Sequence, residues 1–395
     1  MDWRGSLGAA ILVGAGLVSL PSLAADAVKF GYVLDASGPT QDISKPTLDG
    51  FNLYIDKVNA AGGVDGRKIE VDVRDVQLDT QRAVVTSQQL AEEGAVAIIG
   101  LPLSSTQMGI YQSMAKAGTP VVAGFPSNIR VIAPPAMENA FGIGVMFDLM
   151  GWIGGDLLRD AAPAGKSMVC TTFESPGGLV SCKGGEAAAK KDGFEKTESV
   201  TFPIAQRDFR GIAERIASIN PDVVLTVLGR GRTLAMLPAL SEAGYKGIVL
   251  SMEAGTGDDI VRQAAKAAPG IEIYSYTRYV AEGYGSGAQV DALAAAAKAA
   301  GHEGWTAAQA GGWTLGMLVE DLVKRCADPC TAEKIQKALV ETDLDTGGLT
   351  GGPIRFTDKD HYGSTYYMLV KYDRDTDAMK PVGDWREYSS EIPEY

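Results

Sequence analysis

Short apolar runs alternate with stretches of helical periodicity along most of this chain, and the alternation occurs twice. Val28–Leu34 is a β-rich run ended by Asp35-Ala36-Ser37-Gly38-Pro39. Phe51, Tyr54, Ile55 and Val58 then recur at i, i+3, i+4 and i+7, one face of a helix that Ala61-Gly62-Gly63 stops. Ile69–Val76 alternates like a strand with one solvated face, and residues 81–93 are helix-like. Val96–Gly100 is the unbroken apolar run expected of a parallel strand covered on both sides. A helix through Met108–Ala117 and a strand at Val121–Ala123 come next.

The pattern restarts at Lys166–Phe173, a strand, followed by a helix ending over Ala187–Gly193 and a strand at Glu198–Phe202. In the next helix Phe209, Ile212, Ala213 and Ile216 share a face. Asp222–Leu228 is a strand, Thr233–Ala243 a helix and Gly247–Met252 a strand. Strands and helices alternating at these lengths give parallel sheets joined by right-handed crossovers. Two such runs predict an α/β protein of two doubly wound lobes. The Ala-rich Asp291–Ala300 predicts one more helix, and beyond Gly347 the texture changes to short strands with tight turns.

Composition narrows the function. A chain of 395 residues is about two domains. Hydrophobic residues make up 46% and charged residues 22%, which excludes disorder as the main state. Lys and Arg total 36 against 49 Asp and Glu, a net charge of −13 that disfavours nucleic acid and anionic membrane surfaces as partners. Two histidines exclude a His-rich metal centre, and the spacing of the four cysteines excludes an all-cysteine zinc site. No metal and no cofactor is expected.

Residues 1–25 read as a secretory signal peptide. Arg4 precedes the apolar run Leu7–Ala25, Pro21 breaks it, and Ser22-Leu23-Ala24 offers small residues for cleavage near Ala24 or Ala25. The competing reading is an uncleaved membrane anchor. Export to an oxidising compartment suits the cysteines. Cys170 and Cys182 flank one loop and Cys326 and Cys330 another, so these local pairings are favoured over the other pairings and over free thiols.

In open α/β sheets ligands sit beyond the carboxyl ends of the strands, where helices begin. After the strand at 96–100 come Ser104, Ser105 and Thr106, hydroxyls that suit a carboxylate; ordinary helix capping would need only one of them. After Val121–Ala123 come Gly124, Phe125 and Ser127. Phe173, Glu174 and Ser175 end the first strand of the second run; Gly229-Arg230-Gly231-Arg232 and Glu253 lie just beyond two later ones. Arg230 and Glu253 stand out because both fall at strand ends of the same lobe. Enzymatic alternatives lack material. Gly165-Lys166-Ser167 precedes its strand where a phosphate-binding loop comes after one, and neither G-x-S-x-G nor G-x-G-x-x-G occurs in the required place.

Several segments in this order, including Ser37-Gly38-Pro39, Asn59-Ala60-Ala61-Gly62-Gly63, Leu101-Pro102-Leu103-Ser104-Ser105-Thr106-Gln107 and Gly351-Gly352-Pro353-Ile354-Arg355-Phe356, resemble the type I periplasmic solute-binding proteins of ABC transporters, specifically the leucine/isoleucine/valine-binding family. The resemblance implies two lobes joined by three crossings, with a ligand cleft between them. It divides the chain into 26–142 plus 278–346, the N-terminal lobe, and 143–277 plus 347–395, the C-terminal lobe. It implies that Ser104, Ser105, Thr106, Gly124, Phe125 and Ser127 hold a carboxylate and that Glu253 takes an ammonium. Gln41 and Ile43 fall where the family has an aromatic ligand cover, and Phe173 and Ser175 fall near a second such position.

It further implies an extracytoplasmic, monomeric, non-enzymatic importer subunit located in the periplasm. Its partners would be a small solute, amino acid-like or carboxylate-bearing, and the permease subunits of the inner membrane. A ligand sensor docking on a membrane receptor is the alternative, and a secreted enzyme ranks below both.

Overall fold

The computed structural model describes Met1 and residues 26–391, apart from residues 39, 102–103, 125–128, 145 and 253–256. The expected signal peptide, over residues 2–25, lies outside the described residues.

The first run folds as β1 (Val28–Leu34), α1 (Gln41–Ala60), β2 (Ile69–Asp75), α2 (Thr80–Glu92), β3 (Ile98–Gly100), α3 (Ser104–Ala117), β4 (Val121–Ala123), α4 (Ile129–Ile132) and β5 (Ala140–Gly142). Its five strands are all parallel, in the order β2-β1-β3-β4-β5. The second run gives α5 (Phe147–Ala161), β6 (Ser167–Phe173), α6 (Pro176–Lys191), β7 (Lys196–Phe202), α7 (Arg210–Ile219), β8 (Val223–Val227), α8 (Arg230–Glu242), β9 (Ile248–Met252), α9 (Gly257–Lys266) and β10 (Glu272–Thr277). The parallel part of its sheet reads β7-β6-β8-β9-β10. Numbered from the start of each run, the two orders are the same, 2-1-3-4-5. Each sheet therefore has one switch point, between its first and third strands.

The chain then returns to the first sheet with α10 (Ala288–Ala299), α11 (Ala307–Arg325) and α12 (Ala332–Val340), followed by a two-stranded ribbon of β11 (Asp343–Leu344) and β12 (Ile354–Arg355). It finishes on the second sheet, where β13 (Tyr366–Asp373) and β14 (Ala378–Glu387) add an antiparallel edge beyond β10.

Alternation within the strands sets the cores. Phe30, Tyr32 and Leu34 face one way and pack with Phe51 and Tyr54 of α1, Leu293 of α10 and Trp313 of α11. Val33 faces the other way and packs with Ile98 and Val121. Leu349, Ile354 and Phe356 also lie in the core of the first sheet. The dividing line that the resemblance draws after residue 346 thus falls before these residues, and the chain enters the second sheet only at Tyr366.

Two helix pairs approach so closely that only glycine fits at the contact. A Cβ at Gly312 of α11 would lie 1.8 Å from the Thr47 carbonyl oxygen of α1, and one at Gly151 of α5 would lie 1.6 Å from that of Ser181 in α6. Disulfides join Cys170 to Cys182, fixing α6 to β6, and Cys326 to Cys330, closing the turn after α11.

Three passages of chain between the two sheets lie side by side. The Gly142 amide donates to the His361 carbonyl at 3.0 Å, and the Gly363 amide donates to the Gly142 carbonyl at 2.9 Å. The buried Arg278 guanidinium (2.7 Å) and the Tyr279 hydroxyl (3.0 Å) both donate to the Ile143 carbonyl. Residues 142–143, 278–279 and 361–363 are thereby held as one bundle.

Candidate functional site

The carboxyl ends at the two switch points are where a ligand meets loops and helix N-termini. At the first sheet, β1 leads into a loop built around Asp35. This fully buried carboxylate accepts from the Gly38 amide at 2.7 Å, and from the Thr40 amide and hydroxyl at 2.8 Å each. Gly38 is needed there, because a Cβ would stand 2.3 Å from the Asp35 oxygen. Asp75 grips the same loop from β2, accepting from the Ser37 hydroxyl at 2.6 Å and the Ala36 amide at 2.9 Å. Burial pushes the Asp75 carboxyl up, but the hydrogen bonds from Ser37, Ala36 and Gln77 outweigh it and hold it below the usual range. The loop that starts α1 is therefore fixed by two carboxylates.

On α1 itself, Gln41 is exposed and accepts from Lys45 at 3.1 Å, whereas Ile43 is buried.

The turn after β3 is bent. Gly100 has φ +85° and Leu101 has φ +66°, a left-handed conformation that a leucine adopts at a cost of roughly 1–3 kcal/mol. The Leu101 amide is held by the Val33 carbonyl at 2.7 Å. This bend aims the chain at the start of α3, where Thr106 is fully buried. The Gly124 amide donates to the Gly100 carbonyl at 3.0 Å, so the ends of β3 and β4 meet. A Cβ at Gly124 would lie 2.8 Å from Leu315 of α11. Thr106, in the first turn of α3, and Gly124, just beyond β4, are both buried at the carboxyl end of the first sheet. The side chains of Ser104 and Ser105, and the residues Phe125 and Ser127, lie outside the described residues.

On the second rim, Phe173 ends β6 half-buried, and Ser175 caps α6 by accepting from the Gly178 amide at 3.1 Å. That leaves the Ser175 hydroxyl hydrogen for a ligand. Glu253 and the Arg230 side chain lie outside the described residues.

The residue that strand-end reasoning passed over is Arg232. A helix beginning at Arg230 puts Arg232 in the first turn of α8, and its guanidinium lies over the Phe173 ring, 4.7 Å from the centroid. The signal was present in the Gly229-Arg230-Gly231-Arg232 run, but choosing between the two arginines requires the helix phase.

The amino ends of the second sheet do not compete as a site. A hollow there, lined among others by Asp222, Glu272 and Tyr274, carries groups already satisfied: Asp222 accepts from the amides of Lys166 and Ser167, and Glu272 pairs with Lys371. Among the described residues no group of three or more His, Cys, Asp or Glu side chains could hold a metal, and no helix is long and apolar enough to cross a membrane.

Comparison with known proteins decides the family. A family model described as "Periplasmic binding protein" matches residues 27–377, nearly the whole described chain. The chain belongs to the periplasmic binding protein family. Among curated relatives of this family member, the Leu/Ile/Val-binding protein homolog 8 of Brucella suis biovar 1 is 26% identical over 288 residues, covering 68% of this chain and 70% of the relative. Among solved structures, a solute-binding protein of an ABC transporter from R. palustris in complex with benzoate superposes with a TM-score of 0.77 at 19% identity, covering 93% of this chain and all (100%) of the other. A branched-chain amino acid ABC transporter protein from Thermus thermophilus with bound valine gives 0.78 at 16% identity, covering 93% and 98%. The fold of this periplasmic binding protein is thus the α/β, two-sheet fold of type I.

Proposed function

We propose that this protein is the extracytoplasmic substrate-binding subunit of an ABC importer. It captures a small amino acid-like or carboxylate-bearing solute by closure of two lobes. The observation that carries this role is the pairing of two sheets of identical strand order, each with a loop-and-helix rim at its switch point, tied by three adjacent chain passages. The names of its relatives, among them proteins crystallised with valine and benzoate, support a carboxylate as the common chemical handle.

The N-terminal lobe takes 26–142 plus 278–346, extended to about 363 by the packing of Leu349, Ile354 and Phe356 on the first sheet. The C-terminal lobe takes 143–277 and the remainder. Thr106 and Gly124, with Ser104, Ser105, Phe125 and Ser127, bind the carboxylate in the open form. The C-terminal lobe then brings Phe173, Ser175 and Glu253 onto the solute, while Gln41 and Ile43 cover it from α1. A solute favours closure only through contacts it lacks in the open form.

Two or three charge-assisted hydrogen bonds at about 1.5–3 kcal/mol each, with modest apolar burial, reach a micromolar affinity of roughly −8 kcal/mol. The protein is exported to the periplasm, works as a monomer, hands the solute to membrane permease subunits and performs no chemistry on it.

A thermal-shift screen of amino acids and small carboxylic acids, with each hit rechecked for turnover, tests this. Binding raises the melting temperature and the solute is recovered unchanged. A hit that is converted to product would replace the proposal with an enzyme.

A further inference from the structure

Among the described residues, Arg232 is a cation without a counter-charge. Its guanidinium is half-buried, donates from Nη2 to the Ile204 carbonyl at 2.8 Å, and lies over Phe173. Its Nε is buried and has no hydrogen-bond partner among the described residues. Among the described residues, the charge that acts on it most is another arginine, Arg207, on the loop after β7. Burial and the Arg207 charge both weaken the hold of Arg232 on its proton. Glu174, the acidic neighbour of Phe173, faces elsewhere and accepts from the Thr201 hydroxyl at 3.4 Å. Among the described residues these two like charges have no opposite charge beside them, an arrangement that a bound anion relieves.

Position gives the arrangement a purpose. Arg232 stems from the first turn of α8, at the carboxyl end of β8, and crosses the end of β6 to reach the loop after β7. It therefore spans the switch point of the second sheet. With its face on an aromatic ring, Nε buried and Nη2 on a carbonyl, this guanidinium would meet a carboxylate from Nη1, through a charge-assisted hydrogen bond.

We propose that Arg232, supported by Arg207, binds a second carboxylate of the solute, so that the transported solute is an acidic amino acid or dicarboxylate. This rests on the solute-binding role proposed for the chain. It gives the second rim an anion-binding role and leaves the first carboxylate to the hydroxyl rim of the N-terminal lobe.

The test is isothermal titration of the full mature chain with glutamate and glutarate, each carrying two carboxylates, against leucine, valine and benzoate, each carrying one. Arg232→Gln and Arg232→Lys accompany the wild type, and each variant's melting temperature is recorded without ligand. The wild type should prefer a two-carboxylate probe. Arg232→Gln should weaken that probe by about tenfold or more, Arg232→Lys should recover part of the loss, and single-carboxylate probes should change little. Raising the salt concentration should weaken the two-carboxylate probes more than the others.

Tight binding of leucine, valine or benzoate with glutamate and glutarate rejected would overturn the inference while leaving solute capture intact. Equal loss of all probes in Arg232→Gln would also overturn it, because that pattern belongs to a purely structural residue. Binding of none of the five would count against the inference and the importer role together.

Discussion

Asp35 shows how a single side chain sets the loop at the end of β1. Its carboxylate is removed from water and receives three hydrogen bonds from Gly38 and Thr40, so the loop ahead of α1 is set before any ligand arrives. Asp35→Ala leaves those donors unpaired and should cost about 2–4 kcal/mol, read as a lower urea midpoint. An unchanged midpoint would mean that the loop holds without it. Glu253→Ala should weaken an ammonium-bearing ligand by more than about tenfold, the loss of roughly one charge-assisted hydrogen bond, and titration checks this. Unchanged affinity would remove Glu253 from the site. At this scale the sequence was legible in where the apolar runs stop, since β3, β4, β6 and β9 end at Gly100, Ala123, Phe173 and Met252 as their patterns require. It was not legible at Arg232, because nothing in a Gly-Arg repeat says that this guanidinium lies over Phe173.

Among elements, most strands of the two parallel sheets could be read within about two residues, and β1 and the apolar face of α1 were clear cases, whereas α9, α12 and β10 were not read. Several others left little trace. The strand β5 has three residues, too few for alternation to show. Helix α5 has glycines at 151, 154 and 155, poor helix formers; 151 and 155 fit because α6 comes close, and 154 because Leu225 and Tyr276 of the sheet do. Gly151→Ala forces a methyl into the Ser181 carbonyl and should cost about 3 kcal/mol or more, seen as a large drop in melting temperature. A stable Gly151→Ala protein would contradict the packing.

The passage through His361 makes a pH prediction. Its Nδ1 faces the carbonyls of Met137 at 3.0 Å and Ala140 at 2.9 Å, so that nitrogen carries the proton of the neutral ring. Burial lowers the histidine below its ordinary 6.5, against the pull of those two carbonyls and of Asp360 and Asp358. Because the folded value is the lower one, the unfolded chain binds the extra proton first as pH falls. Stability from this group is whole above about 6.5 and is lost through the window down to the native value. Urea midpoints at about pH 7.5 and about pH 5 should therefore differ less in His361→Phe than in the wild type. An equal difference in both would assign the pH dependence to other groups.

For the whole molecule, the two doubly wound lobes were visible in the chain because each sheet is written as its own strand and helix series, whereas the strand order came from the structure. The return of α10, α11 and α12 to the first sheet, and of β13 and β14 to the second, was visible only through family resemblance. No local pattern says which sheet a late helix joins. That interleaving brings three chain passages together at Gly142, Arg278 and His361 and gives the two sheets a common pivot. Closure about that pivot is the central claim. Small-angle scattering on the mature chain, with and without a saturating solute found in the thermal screen, tests it most directly. The radius of gyration should fall on binding as the rims come together; a solute that binds tightly while the scattering profile stays the same would contradict capture by closure.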